Sequence, residues 1–136
     1  MFKRQPSRPG KRIPIDPEPL LALMEHWPHS WAGSDADIPV GNGLVAEMKP
    51  FIVHLCSLGL VRSTVRNHLD NCWAIGGEII RAVVMQSGNR RLPPKKMLLD
   101  AIASDDAPLV YGASEEEQRG FDATARKLWN FLTHKA

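Results

Sequence analysis

Alternating apolar and polar residues, the pattern of a half-buried strand, are scarce in this sequence, so a sheet core is not expected. No apolar run approaches the roughly 18 to 20 residues needed to cross a bilayer, which leaves no expected membrane partner. The first residues are basic and lack the apolar stretch of a secretory signal. Cysteine is scarce as well. Cys56 and Cys72 belong to no CxxC pair, and a reduced, cytoplasmic setting is the expectation. Enzyme signatures are also missing: there is no Gly-rich phosphate loop, no GxSxG elbow and no HExxH. Tyr111 is the single tyrosine, set in a loop containing Pro and Gly, where packing or hydrogen bonding is its ordinary role. The expectation is a protein that is not an enzyme and needs no cofactor.

What is present is enough apolar material for one core. The chain has 136 residues, 43% of them hydrophobic and 24% charged, which suits one helical domain over 18–136. Charge is distributed in blocks beneath a net value of +2. Residues 1–15 carry Lys3, Arg4, Arg8, Lys11 and Arg12 with no acid, whereas residues 16–61 carry six acids against Lys49 alone. Residues 62–99 are basic again, with seven Arg and Lys against Asp70 and Glu78. Such blocks create local fields that a total conceals.

Pro6, Pro9, Pro14 and Pro17 interrupt residues 1–17, which read as a flexible, disordered basic arm. A short helix is expected from about Glu18 to His26 with Pro19 in its first turn. Residues 27–43, punctuated by Pro28, Gly33, Pro39, Gly41 and Gly43, read as a loop in which Trp27 and Trp31 cover one end of the core. Leu44, Met48, Phe51, Leu55 and Leu58 follow a 4-3-4-3 spacing on one helix face. Pro50 either kinks that helix or opens it, and Gly59 ends it. A second long helix runs from Ser63 to about Gln86. Val65, Leu69, Cys72, Gly76, Ile79 and Val83 form its apolar stripe, widened by Trp73 and Ile80. Asn67, Asp70, Asn71, Glu78 and Arg81 lie opposite, with Arg66 at the border. Gly76 in the stripe implies close approach by a crossing helix. A basic turn "SGNRRLPP" leads to a short helix over Lys95–Ala103. The last helix starts at Ser114, with Glu117 completing a capping box and Phe121, Ala125, Leu128 and Leu132 forming its stripe. The expected fold is all-α, a small bundle of four to five helices.

Two features bear on chemistry. His54, Cys56, His68 and Cys72 suggest a metal, yet residues two apart on a helix point about 200° away from each other, and His68 with Cys72 falls on the apolar stripe. No metal site is expected. The second feature is the start of the 63–86 helix. Ser63 stands where an N-cap is expected, beside Arg62, Thr64, Arg66 and Asn67, and a helix N-terminus with such donors suits phosphate. Arg90, Arg91, Lys95 and Lys96 form a further basic cluster. Trp73 and Trp129, beside apolar stripes, read as core residues.

The segment from Phe51 to Ile80 resembles the N-terminal core-binding (SAM-like) domain of tyrosine recombinases and phage integrases, in which an apolar helix ends in a Gly-Leu-Ser-type turn before a Thr-containing helix, here "FIVHLCSLGLVRSTVRNHL". The whole of residues 51–132 also resembles small uncharacterised bacterial proteins often found in mobile elements, whose characteristic segment stands here as "DNCWAIGGEIIR". "LCSLGLVRSTVRNHL" also resembles a helix-turn-helix, although the second helix is long for one. The integrase resemblance implies a bundle that binds double-stranded DNA through phosphates, with Arg62, Thr64, Arg66 and Asn67 as contacts. No His-x-x-Arg occurs here, so it implies binding without cutting or joining. The functional expectation is a DNA-binding accessory module of a bacterial mobile element, assisted by its basic arm. The alternative is a protein-interaction module for a partner from the element or its host, with Asp35, Asp37, Glu47 and an exposed Trp31 as its face.

Overall fold

The computed structural model describes residues 13–84, 90–103 and 106–134, so the arm's Lys3, Arg4, Arg8, Lys11 and Arg12 lie outside the described residues. Every regular element within the described residues is helical, and the fold is an all-α bundle. In chain order these are α1 (Glu18–Met24), α2 (Trp27–Trp31), a 3-10 turn (Asp35–Asp37), α3 (Ile38–Ser57), α4 (Arg62–Ala82), α5 (Pro94–Ala101) and α6 (Glu115–His134). The centre is a pair of antiparallel helices, α3 and α4. Against it pack α2 and α5 toward the start of α3, and α6 along α4.

The 4-3 stripes meet as their spacing requires. Leu44, Met48, Phe51 and Leu55 of α3 are buried with Val65, Leu69, Cys72, Ile75, Ile79 and Ile80 of α4. Leu98, Ile102, Ala125 and Leu128 close the core, with Trp129, Phe121 and Leu132 half-buried around it. Gly59 takes a positive φ of 75° after the end of α3, the left-handed stop expected there. Leu58, placed in the α3 stripe by spacing, lies beyond the helix end and is largely exposed. The capping box of α6 is formed: the Glu117 N–H donates to Ser114 Oγ at 3.0 Å, and the Ser114 N–H donates to Glu117 Oε1 at 2.9 Å.

Several expectations need correction. Residues 27–43 are mostly helical rather than a loop, because α2 forms over the first of them and α3 begins at Ile38 with Pro39 in its first turn. The glycines there serve close packing. A Cβ on Gly41 would stand 2.9 Å from the Cα of Pro28, and one on Gly43 would stand 2.3 Å from Cγ of Pro94. Of the two readings of Pro50, the one in which it opens the helix is ruled out, since it sits inside α3. Both Pro50 and Ala46 are exposed, so the carbonyl that loses its helical partner can bond water. The packed chain also begins earlier than residue 18: Ile15 lies against the core and its N–H donates to the Cys56 carbonyl at 2.9 Å.

Gly76 is indeed a point of close approach, but a ring rather than a crossing helix fills it. A Cβ at Gly76 would stand 2.4 Å from Cζ2 of Trp31, whose indole occupies the Gly76–Gly77 notch. Three hydrogen bonds hold that corner. Trp31 Nε1 donates to the Trp73 carbonyl at 3.0 Å, Trp73 Nε1 donates to Ser30 Oγ at 2.9 Å, and Ser30 Oγ donates to the Trp27 carbonyl at 2.7 Å. Trp73 is therefore not a core residue; it is 46% exposed, anchored by its ring nitrogen.

Candidate nucleic-acid interface

α4 starts at Arg62, one residue before the expected position, and its N-cap is Val61 in extended conformation. Ser63 is thus the second helical residue, and no side chain caps this end. The shift follows from the tight Gly59–Val61 turn, which returns to helix as soon as Val61 is passed: the Thr64 and Val65 N–H groups both reach the Val61 carbonyl, at 3.0 and 3.2 Å.

Around this first turn the candidate residues divide between two flanks. Arg62, Ser63 and Arg66 border a groove against Ile15, Asp16 and the α1 residues Pro19, Leu20 and Leu23. Thr64 and Asn67 border a second groove toward α6, with Asn71, Glu117 and Gly120. Arg62, Ser63, Arg66 and Asn67 are exposed, while Thr64 is half-buried. Arg66 leans on Asp70 at 3.3 Å, an exposed pair one helical turn apart, which contributes little to stability and leaves the guanidinium in water. Asn71, expected on the solvent face, instead donates to the Gly120 carbonyl at 3.2 Å and to Thr124 Oγ1 at 2.9 Å, joining α4 to α6.

The second basic cluster lies elsewhere. Arg90 donates through Nε to Asp37 Oδ1 at 2.8 Å, and Asp37 is 1% exposed. Asp37 also accepts the Gly33 and Ser34 N–H groups at 2.9 and 3.1 Å. The Arg90 hydrogen bond holds the Asp37 carboxyl below its ordinary value, against burial, which pushes it up; the two backbone N–H groups assist Arg90. Arg90 is thus engaged through Nε by a buried carboxylate, with its side chain about one-third exposed. Arg91, Lys95 and Lys96 are exposed, with Lys96 reaching Asp100 at 3.2 Å.

Position along α3 separates the two clusters. Asp37 and Arg90 stand at its start, where Pro94 also meets Gly43, whereas Ser57 at its end leads through a short turn to Arg62. Twenty residues of helix at ~1.5 Å each put these ends roughly 30 Å apart. The structure does not bring Arg62 and Arg66 together with Arg90, Arg91, Lys95 and Lys96. What it does bring to the Arg62 end is the root of the basic arm, because Ile15 is tied to Cys56 in the last turn of α3.

The remaining candidates resolve as follows. His68 is buried, with Nδ1 at 2.7 Å from Thr124 Oγ1, and burial followed by the charge of Lys127 lowers its pKa. Burial pushes the Cys72 thiol up to about 12 and raises Cys56 as well. His54 is exposed, its ring 5.2 Å from that of Phe131. No group of three or more His, Cys, Asp or Glu able to hold a metal occurs among the described residues. Of the residues of the interaction alternative, Asp37 is buried and paired and Trp31 is half-buried over Gly76, whereas Asp35 is exposed and Glu47 half-buried.

Sequence reading missed a groove of about 550 Å³ beside the second half of α4, lined by Trp31, Trp73, Gly77, Glu78, Arg81 and Tyr111 among others. Tyr111 is 87% exposed rather than packed. The Gly-Gly pair in a helix was a legible sign of something close by, but not of which side chain would lie there. No protein-family model, curated protein or solved structure matches this chain. No helix of the described residues is long and apolar enough to cross a membrane.

Proposed function

We propose that this protein is a non-enzymatic DNA-binding module that contacts duplex phosphates at the Arg62 end of the bundle, as an accessory of a bacterial mobile element. The observation that carries the reading is the Ile15–Cys56 hydrogen bond. It roots a segment with five Lys and Arg and no acid at the same end as exposed Arg62 and Arg66. Uncapped N–H groups in the first turn of α4, with Ser63, Thr64 and Asn67 beside them, supply neutral donors for the same anions. Asp16, Glu18 and Asp70 lie nearby and temper the field, so affinity rests on the arm together with the two arginines.

The test is duplex binding followed by fluorescence anisotropy across salt concentrations. Affinity should fall by about 0.9 log unit per phosphate contact for each tenfold rise in salt. Replacing Arg62 and Arg66 with Ala should reduce that slope while circular dichroism stays unchanged, and deleting residues 1–12 should reduce it further. Replacing Arg91, Lys95 and Lys96 at the opposite end should leave most of the slope. A native protein without salt-sensitive duplex association rules the reading out. The interaction-module alternative draws support from a different place, the aromatic groove on the second half of α4.

A further inference from the structure

Where α4 meets α6 three side chains are polar, His68, Asn71 and Thr124, and the hydrogen bonds that join them run in one direction. Thr124 is fully buried and His68 is 9% exposed. The Gly120 carbonyl can only accept, so the Asn71 nitrogen 3.2 Å away donates to it, which fixes the orientation of the Asn71 amide. The second hydrogen of that nitrogen goes to Thr124 Oγ1 at 2.9 Å, where the hydroxyl oxygen accepts. Thr124 has one proton of its own to place. The Gly120 carbonyl has two acceptor sites, and Asn71 takes one while the helical Thr124 N–H takes the other. What remains for the Thr124 proton is His68 Nδ1, 2.7 Å from Oγ1. Nδ1 therefore accepts, and the neutral ring carries its hydrogen on Nε2.

Protonation reverses the sense of that last bond. An imidazolium donates from both nitrogens, so Nδ1–H and the Thr124 O–H would face each other across 2.7 Å. A buried donor left without an acceptor is costly, and opening the seam to water relieves it. The surroundings offer the charged ring little help. Burial lowers the His68 pKa, and the charge of Lys127 on α6 adds to the effect. Two carboxylates line the groove beside the ring, Asp70 of α4 and Glu117 of α6. Asp70 pairs with Arg66 at 3.3 Å, and Glu117 accepts the Ser114 N–H at 2.9 Å. No described residue of α3 lines that groove.

We propose that His68 is a proton-operated catch between α4 and α6: the neutral ring closes the seam along residues 120–127, and protonation releases it, widening the groove that Thr64 and Asn67 border. It does not depend on the DNA reading. The catch holds fully above 6.5, the ordinary value of the ring, and weakens as pH falls below it. Nitrogen NMR of the native chain at neutral pH should show the Nε2–H tautomer at His68. Native-state hydrogen exchange should show residues 120–127 opening locally, almost independently of low urea concentrations. The opening constant should rise by up to about tenfold per pH unit below 6.5. Residues 48–55 of α3 should instead exchange through the urea-sensitive global opening. In His68→Gln, whose side-chain oxygen can still accept from Thr124, the pH dependence of the local opening should vanish, whereas His54→Gln at an exposed ring should keep it. An Nδ1–H tautomer in the native chain overturns the proposal, and that measurement needs no variant to fold. A seam whose exchange follows urea as α3 does also overturns it, as does a pH dependence that survives in His68→Gln.

Discussion

The two halves of α4 are built from one continuous helix and differ in how they are used: the first presents polar side chains to water, the second opens a notch to a neighbouring ring. In the first half Arg62, Ser63, Arg66 and Asn67 stand exposed to water, with Arg66 paired to Asp70 at 3.3 Å. In the second half Gly76 and Gly77 remove every side-chain atom, and the Trp31 indole occupies the space. Charged side chains on a helix start are tolerated because solvent stabilises them. Two glycines in a helix cost about 1 kcal/mol each against Ala and are tolerated only where packing offsets the loss. The difference teaches that the first half keeps its polar side chains in water, whereas the second half is committed to the fold along its inner edge.

The strongest way to break this contrast is Gly76→Leu. Trp31 cannot swing aside cheaply, since its Nε1 is bonded to the Trp73 carbonyl and its ring lies 5.7 Å from that of Trp27. A loss of about 3 kcal/mol in chemical denaturation is expected. Gly76→Ala should also destabilise, despite its better helix propensity. An unchanged midpoint for either variant would show that the indole does not rest there.

Next in size is the clip at the far end. Asp37→Ala leaves the Gly33 and Ser34 N–H groups and Arg90 without their acceptor and should cost about 2 to 3 kcal/mol, somewhat below a fully buried pair because Arg90 is half-exposed. The sign of its pH dependence follows from the lowered folded pKa. The contribution is fully present above the ordinary carboxylate value of 3.8 and is lost as pH falls through the lower folded value. Acid titration of stability should therefore be shallower in Asp37→Asn than in the native chain.

His68 gives a smaller effect at milder pH. Its pKa is lowered from 6.5 in the fold, so the neutral ring is favoured there. Stability should be complete above 6.5 and should decline as pH drops below it, because the unfolded chain takes up the proton first. His68→Gln should remove that slope in urea midpoints measured on either side of this value.

The smallest expected change is also the sharpest for the first half of α4. Ser63→Ala should alter stability by less than about 0.5 kcal/mol, since Ser63 is the second helical residue and makes no capping bond. A loss near 1 kcal/mol would restore it as an N-cap.

Much of the bundle was legible because its signals are local and periodic. The 4-3 spacing of Val65, Leu69, Cys72 and Ile79, the Gly59 stop and the Ser114–Glu117 box each depend on residues within a turn or two of one another. The candidate site was legible in part. Exposure of Arg62, Arg66 and Asn67 followed from amphipathicity, whereas the cap fell at Val61, two positions before Ser63, because turn geometry decides which residue is the cap. Residues 27–43 misled because Pro and Gly ordinarily punctuate loops. Here Pro39 opens a helix, and Gly41 and Gly43 let it approach Pro28 and Pro94.

By itself the sequence determined that the chain folds as an all-α bundle, which faces of its long helices are apolar, and where charge of each sign is concentrated. These follow from helical periodicity and from composition, which any stretch of the chain carries within itself. Only the tertiary structure decided that Arg90 is bound to a carboxylate 53 residues away, that Trp31 fills the Gly76 notch, and that the arm is rooted beside Arg62. Those outcomes depend on which helix ends meet once the core has closed. Pairing across such distances is selected by the packing of the whole core, and no local window of residues contains it.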